Sequence, residues 1–538
     1  MMLEVQNLSK VFSDKKLFQN VNLKFLEGNT YGIIGANGVG KSTFLRIISG
    51  QEEPSSGEII KSKGSRISVL SQDQNAFDEF NVTDVVIMGN DELYKIQVEK
   101  NAIYENPESS IEDYEKASLL EEKFGEMGGW TAENDAQILL SGLGIDESKW
   151  NLPMSKLKAI EKVKVLIAKA LFGNPDILIM DEPTNHLDLK SIKWLENFLI
   201  EYQYIVIVVS HDSDFLDSIC THTVDIDFNE ARLFTGNYSF WKQSSQLILE
   251  MQKQANLKKE EQAAKLKEFI ARFSANASKS KQATSRKKAL EKIVIDEIKP
   301  SSRKYPFIHF DLNRAPGKQI LEVNNLTYIN DKGETLFKNV SFVLKNGEKM
   351  ALIGDDDIAK TKFLEILMGI EKPTSGEVNW GITIKPNYFP NNNAKYFQND
   401  LNIMEWISQW PLENSTQETK DNSDHRMRSY LGRMLFSNDS VFKKVKVTSG
   451  GEKARLMFSK LMLEESNFLV FDQPTDHLDS ESIDSLVEAL EKYQSGIIFT
   501  TYNRGLVKAA ANVILEIKSN ESFLYYGTLD EYEEEMGY

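Results

Sequence analysis

Three short segments carry residues that can handle a phosphate chain. The first is GANGVGKST, residues 35–43, which fits the pattern G-x-x-x-x-G-K-[ST]. It lies between a strand-like run, YGIIG, and a helix-like run, FLRII. Glycines let backbone N–H groups approach phosphate oxygens, and a helix start adds positive potential. Gly35, Ala36, Asn37, Gly38, Val39, Gly40 and Thr43 would form that cradle. Lys41 would reach the outer phosphates and Ser42 would ligate Mg²⁺. The second segment is an apolar run at 177–180 ending in Asp181 and Glu182. An aspartate there suits a Mg²⁺ shell, and a following glutamate can polarise an attacking water. The third, IVIVVSHD, sets His211 at the end of another apolar strand, where it could touch the terminal phosphate. Lys41, Glu182 and His211 are therefore the candidate catalytic residues.

The elements that position these segments occur twice. LEVQNLSK at Leu3 returns as LEVNNLTY at Leu321, an offset of 318 residues, and LIMDEPTNHLDLKSI returns further along as LVFDQPTDHLDSESI. Each copy alternates β-rich runs with helical stretches, which predicts an α/β fold with a largely parallel sheet. The expected division is 1–243 for the first domain, 244–318 for a linker and 319–538 for the second domain. In the linker, LILEMQKQANLKKEEQAAKLKEF (247–269) is rich in helix formers, FSANASKSKQATS breaks the pattern, and RKKALEKIVIDEI resumes it. That pattern predicts an antiparallel helical hairpin with a polar turn over about 274–285.

Phosphate loop, DEPTNHLD and SHD, in that order in the chain, resemble the ATP-binding cassette (ABC) family. The resemblance covers both copies and implies two tandem ABC-type ATPase domains binding ATP and Mg²⁺. Gln72, in VLSQD, matches the family's Q-loop and would join Ser42 and Asp181 around the metal. Phe12 matches the aromatic that stacks on adenine. The family also requires a signature before the Asp-Glu strand. The second copy has it, as Ser449, Gly450, Gly451 and Glu452; the first has Lys158, Ala159 and Ile160 in the Ser-Gly-Gly places.

ABC domains pair head to tail, each ATP lying between one P-loop and the other domain's signature. Site one would then combine the first P-loop, Gln72, Asp181, Glu182 and His211 with Ser449, Gly450, Gly451 and Glu452. Site two would combine GDDDIAKT, Gln473 and Tyr502 with the broken LKAIEK, and Asn391 stands at its Q-loop position. One carboxylate about 5 Å from a phosphate charge costs roughly 3 kcal/mol at an effective dielectric near 20. Three aspartates in the loop therefore make site two a poor host for MgATP. The loop is expected to be a solvated acidic turn in a domain that does not hydrolyse ATP, because Gln473 cannot accept a proton.

The charges indicate a second partner. The chain carries −17 overall, which disfavours general affinity for nucleic acid. From Ala271 to Lys304, however, Arg272, Lys279, Lys281, Arg286, Lys287, Lys288, Lys292, Lys299, Arg303 and Lys304 face only Glu291, Asp296 and Glu297, a balance of 10 − 3 = +7. Such a strip can neutralise phosphates and release counterions. Arg272, Lys279, Lys281, Arg286, Lys287, Lys288 and Lys292 are the candidate RNA contacts. Paired ABC domains joined by a charged hairpin resemble the ABC-F family of ribosome-associated translation factors, and FIARFSANASKSKQATSRKKALEKI resembles the linker of its YbiT-like branch. That resemblance implies binding at the ribosomal exit site, with the hairpin toward P-site tRNA and large-subunit rRNA. The helical, acidic segment at about 88–150 matches the family's arm or part of its helical subdomain.

A short breaker stretch favours a housekeeping factor over an antibiotic-resistance member. A cytoplasmic ATPase subunit of a transporter is the alternative from another class. No apolar run reaches the roughly 18 to 20 residues that span a bilayer, and Cys220 is the only cysteine. Both fit a reducing cytoplasm. Intramolecular pairing of the two domains predicts a monomer.

Overall fold

The computed structural model describes residues 2–12, 15–71, 73–185, 187–273, 280–291, 293, 301, 303–312, 314–410, 423–464, 466–519 and 521–537. Each copy folds into one six-stranded and one three-stranded sheet. In the first copy the six strands run in the order Ile67–Val69, Ile177–Asp181, Ile205–Val209, Thr30–Ile34, His222–Asp227 and Glu230–Thr235. All pairings are parallel except the last. The central strands read ILIMD and IVIVV, apolar at successive positions and buried on both faces. A parallel sheet covered on both sides requires that pattern. The second copy repeats the order with Pro386–Phe389, Phe468–Asp472, Ile497–Thr500, Lys349–Ile353, Val513–Ile517 and Ser522–Tyr526. The smaller sheets pair Met2–Phe12 with Lys15–Leu26 and Ser56–Lys61, and Gln319–Ile329 with Thr335–Lys345 and Ser375–Trp380, all antiparallel. The chain is therefore an α/β protein with two tandem ABC-type domains.

This topology delivers the chemistry to one edge. Thr30–Ile34, Ile177–Asp181 and Ile205–Val209 are adjacent and parallel, so their C-terminal ends present the 35–43 loop, Asp181 with Glu182, and His211 side by side. In doubly wound sheets, ligands bind at that end. Within 88–150, the helices Asp91–Glu105, Ile111–Glu126 and Ala132–Gly142 form, the first two packed on each other.

Between the copies a helix runs from Tyr238 to Phe273, nine residues earlier and four later than the helix-forming text alone marks. Its 36 residues span about 54 Å at 1.5 Å per residue. The helix Ser280–Glu291 packs against it. Helix thus starts inside the stretch expected to be a turn. SKQATS contains no Gly or Pro, and packing on the longer helix overrides its weak propensity. The rest of the expected second helix lies mostly outside the described residues. Among the described residues no helix is long and apolar enough to cross a membrane.

Candidate nucleotide sites and the domain interface

The loop at 35–43 closes around its own lysine. Lys41 Nζ donates to Gly35 O at 2.7 Å, bridging the gap a phosphate chain would fill. Helix Lys41–Ile48 starts at Gly40, whose φ of 105° only glycine adopts without strain. A Cβ on Gly35 would lie 2.6 Å from Ile226 O and 2.9 Å from Val39 Cγ2. These glycines keep the cradle open to backbone N–H groups. Lys41 is 9% exposed, and its pKa is lowered by burial, against which Glu182, Glu481, Asp181 and Asp479 pull upward. A buried lysine ringed by carboxylates, with a hydroxyl at Ser42 and a carboxylate at Asp181, fits Mg²⁺ and a polyanion: hard oxygen donors for the metal, a cation and free amides for the phosphates.

Glu182 has φ 54° in the left-handed region, a strained conformation that aims its side chain across the strand ends. His211 N donates to Glu182 Oε2 at 3.1 Å, and His211 Nε2 lies 3.4 Å from Glu182 Oε1. Burial pushes Glu182 up to about 8, opposed mainly by the His211 amide. Burial, then Lys41, push His211 down to about 4, so it is neutral near pH 7. Phe12 stands exposed at 47%, with Lys10 Nζ 5.0 Å from its ring centroid. Gln72 lies outside the described residues.

The second domain reaches this site through residues the motifs do not mark. Ser480 Oγ is 2.7 Å from His211 Nδ1. Glu481 is among the charges acting on Lys41. Ser449 caps the helix Gly450–Leu463, in a reciprocal pair with Glu452. A Cβ on Gly450 or Gly451 would meet His477, at 3.1 and 2.8 Å respectively. His477 in turn lines a cleft of about 430 Å³ with Asn37, Asn185 and His211. The signature glycines thus lie behind His477, which lines the cleft at site one, while Ser480 contacts His211 directly and Glu481 acts on Lys41 through its charge. The text showed only that LDSES follows the Asp-Gln strand; that this turn crosses to the other copy depends on domain pairing.

Site two has a different physical state from the solvated turn expected. Its loop is wound into helix. In the first copy the helix starts at Lys41; in the second it starts at Asp357, three residues before the matching Lys360. Asp356 causes this: its Oδ1 accepts from Ile358 N at 3.0 Å and Ala359 N at 3.1 Å. A capping carboxylate thus takes amides that would otherwise face an anion. Asp357 Oδ1 pairs with Lys360 Nζ at 2.8 Å, and Tyr502 donates its hydroxyl to Asp357 Oδ2. Thr361 Oγ1 donates to Asp472 Oδ2 at 2.7 Å. Across the interface, Lys158 Nζ, at the place of the signature serine, pairs with Asp356 Oδ2 at 3.0 Å. The altered residues of the two copies are partners of one another. Gln473, at φ 50°, matches Glu182 in conformation but is 4% exposed.

Of the candidate RNA contacts, Arg286, Lys287 and Lys288 stand exposed on Ser280–Glu291. The side chains of Arg272, Lys279, Lys281 and Lys292 lie outside the described residues. Arg303, counted in the basic strip, does not belong to it. Its side chain is 11% exposed and pairs with three carboxylates.

The ABC transporter family pattern matches residues 18–185 and 337–476, and a companion pattern described the same way matches 224–310. The chain is 49% identical to the uncharacterized ABC transporter ATP-binding protein YkpA of Bacillus subtilis, covering 96% of this chain and 95% of that one. It is 44% identical to the probable ATP-binding protein YbiT of Escherichia coli O157:H7, over 99% of each. It is 33% identical to ABC transporter F family member 2 of Arabidopsis thaliana, over 98% of this chain and 78% of that one. Its fold is similar to that of an archaeal ribosome recycling factor, aABCE1, solved with ribosomal stalk protein aP1: TM-score 0.60, 16% identity, 99% of this chain and 92% of that one. The chain belongs to the ABC transporter family, in its F branch of ATP-binding proteins.

Proposed function

We propose that this protein is a ribosome-binding ATPase that regulates translation through one competent composite site. The observation that carries the reading is the contrast between its two sites. Site one keeps a glycine cradle, Lys41, Ser42, Asp181, Glu182 and His211 together. At site two, Asp356 and Asp357 already hold the loop amides and the lysine that would receive phosphates, and Lys158 from the other copy holds Asp356.

In site one, Lys41 and the loop amides hold the phosphate chain, while Phe12 supports the base. Ser42 and Asp181, with Gln72 as the sequence implies, would hold Mg²⁺, which would supply charge neutralisation on the phosphates. Burial alone favours the protonated form of Glu182; a divalent cation beside Asp181 would favour the carboxylate, which then accepts the proton of the attacking water, and His211 orients that water from its Ser480-anchored position. Ser449, Gly450, Gly451 and Glu452 close the site from the other domain through a helix N-terminus. At site two, Gln473 replaces the base and the loop lysine is already neutralised, which supports an absence of turnover there.

The ribosome enters through the hairpin. Arg286, Lys287 and Lys288 present an exposed basic face on a chain of charge −17, so RNA attracts the hairpin and repels the body. The F-branch kinship and the fold shared with a ribosome recycling factor support the same partner. The hairpin would point toward P-site tRNA and large-subunit rRNA from the exit site, with the chain acting as a monomer. Co-sedimentation tests this: the ATP-loaded chain should pellet with ribosomes, and a variant with Arg286, Lys287 and Lys288 changed to Glu should stay in the supernatant. Equal pelleting of the two would refute the hairpin reading.

A further inference from the structure

The chain returning from the hairpin ends on a buried ion cluster at the edge of site one. Arg303 Nη2 pairs with Asp225 Oδ1 at 2.5 Å, Nη1 with Asp227 Oδ2 at 3.2 Å and Nε with Glu481 Oε1 at 3.1 Å. Its guanidinium lies 4.8 Å from the Trp241 ring centroid. Ser301, two residues earlier, donates to Asp227 Oδ2 at 2.6 Å. One side chain thus joins four structural units. Asp225 and Asp227 belong to the first domain's strand His222–Asp227. Glu481 opens the second domain's helix Ser480–Lys492. Trp241 sits near the base of the helix Tyr238–Phe273. Arg303 itself belongs to the linker.

Both sets of carboxylates line one cavity together with Gly35, the first residue of the phosphate loop. Ile226, between Asp225 and Asp227, has its carbonyl where a Cβ on Gly35 would fall, 2.6 Å away. The strand that holds Arg303 is thus packed directly on the start of the phosphate loop. Glu481, from the other side, bonds Arg303 through Oε1, while its buried Oε2 has no hydrogen-bond partner and its charge acts on Lys41. A phosphate chain arriving at Lys41 changes the field on Glu481, and Glu481 is held by Arg303. Three carboxylates on one guanidinium leave the cluster two negative charges in excess, so it responds to any charge placed nearby.

We propose that Arg303 is the positioning residue that couples nucleotide occupancy at site one to the placement of the hairpin. The chemistry suits an arginine: a planar fork with separate N–H groups can hold three carboxylates from two domains in one fixed geometry, which an ammonium cannot. When the second domain moves relative to the first, Glu481 and the strand residues move apart or together across the fork. The linker segment then follows, and the base of the long helix follows through Trp241. This inference rests on ATP drawing the second domain's signature onto site one, an extension of the composite site proposed above, but not on the ribosome as partner.

The test is a distance measurement on the full chain carrying Glu182→Gln, with spin labels at Lys287→Cys on the hairpin and Ile370→Cys on the second domain. Native Cys220 is buried and its thiol pKa is pushed up, so it stays unlabelled. ATP should shift the label distance in this parent. Adding Arg303→Met should abolish the shift while ATP affinity, measured separately, stays within about threefold. Arg303→Lys, which retains charge without the fork, should retain less than half of the shift. It also serves if the methionine variant does not fold. A full ATP-dependent shift in either variant would overturn the proposal. If the parent itself binds ATP and does not shift, the closure reading fails instead.

Discussion

Asp357→Gly restores at the second loop the residue type found at the matching position of the first, Gly38. In the structure Asp357 Oδ1 lies 2.8 Å from Lys360 Nζ and so takes the ammonium that would otherwise meet a phosphate oxygen. A nucleotide phosphate held by the same ammonium would be about 5 Å from that carboxylate, a repulsion of about 3 kcal/mol per charge pair at an effective dielectric near 20. The side chain is 37% exposed, so solvent screening trims this to about 2 kcal/mol, roughly 30-fold in affinity. The variant should therefore bind ATP at site two about 30-fold more tightly. It should also be less stable without nucleotide. Lys360 is 6% exposed at its side chain, and a buried charge stripped of its partner costs about 3 kcal/mol. Equilibrium dialysis with labelled ATP in a Glu182→Gln background reads the first effect. Thermal melting with and without ATP reads the second. One nucleotide per chain is expected in the parent and a second in Asp357→Gly, with ATP recovering the lost melting temperature. Two equal sites in the parent, or no gain in the variant, would refute the argument that the carboxylate stands in for the phosphate.

Other perturbations bear on separate links. Lys158→Glu turns the 3.0 Å pair with Asp356 into a repulsion. Lys158 is 67% exposed at its side chain, so the cost should be about 1 kcal/mol, seen as a small fall in melting temperature that high salt diminishes. Arg504→Met should be more damaging, by about 3 kcal/mol, because it leaves Glu196, which is 1% exposed, with only Lys193 at 3.3 Å, and breaks a bridge between the domains at 3.0 Å; urea unfolding measures it. Asp188 has its pKa pushed up by burial, but Lys164 and Ser191 outweigh this and hold it below 3.8. A depressed carboxylate stabilises the fold above that pH, and the contribution is lost as pH falls through its folded pKa. Asp188→Asn should therefore flatten the acid limb of a stability–pH curve below about pH 4. Raising salt should weaken ribosome binding, and changing Arg286, Lys287 and Lys288 to Glu should cut the log–log salt slope by about 2 to 3.

The chemistry of site one was legible because each of its motifs is contiguous and sits where one strand meets a turn: GANGVGKST, Asp181 with Glu182, and SHD. The α/β class followed from apolar runs such as ILIMD, whose continuity marks a strand covered on both faces. What the text could not show depends on residues far apart in the chain. Ser480 meets His211 across 269 positions, and Lys158 meets Asp356 across 198. The acidic loop read as solvated because a run of aspartates usually is. Its partners, an N-terminal helical turn, Lys360 and a lysine from the other copy, appear only in three dimensions. Arg303 was misplaced for the same reason. A basic residue in a basic stretch reads as surface, yet its three carboxylates come from two distant elements.

The central claim is that ATP at site one alone governs attachment to the ribosome. Glu182→Gln tests it most directly, since Gln473 already stands at the matching position of the other site and the variant then has no hydrolytic base. Ribosomes pelleted through a sucrose cushion should carry this variant in ATP and release it in ADP. Equal binding in both nucleotides, or none in either, would contradict the account.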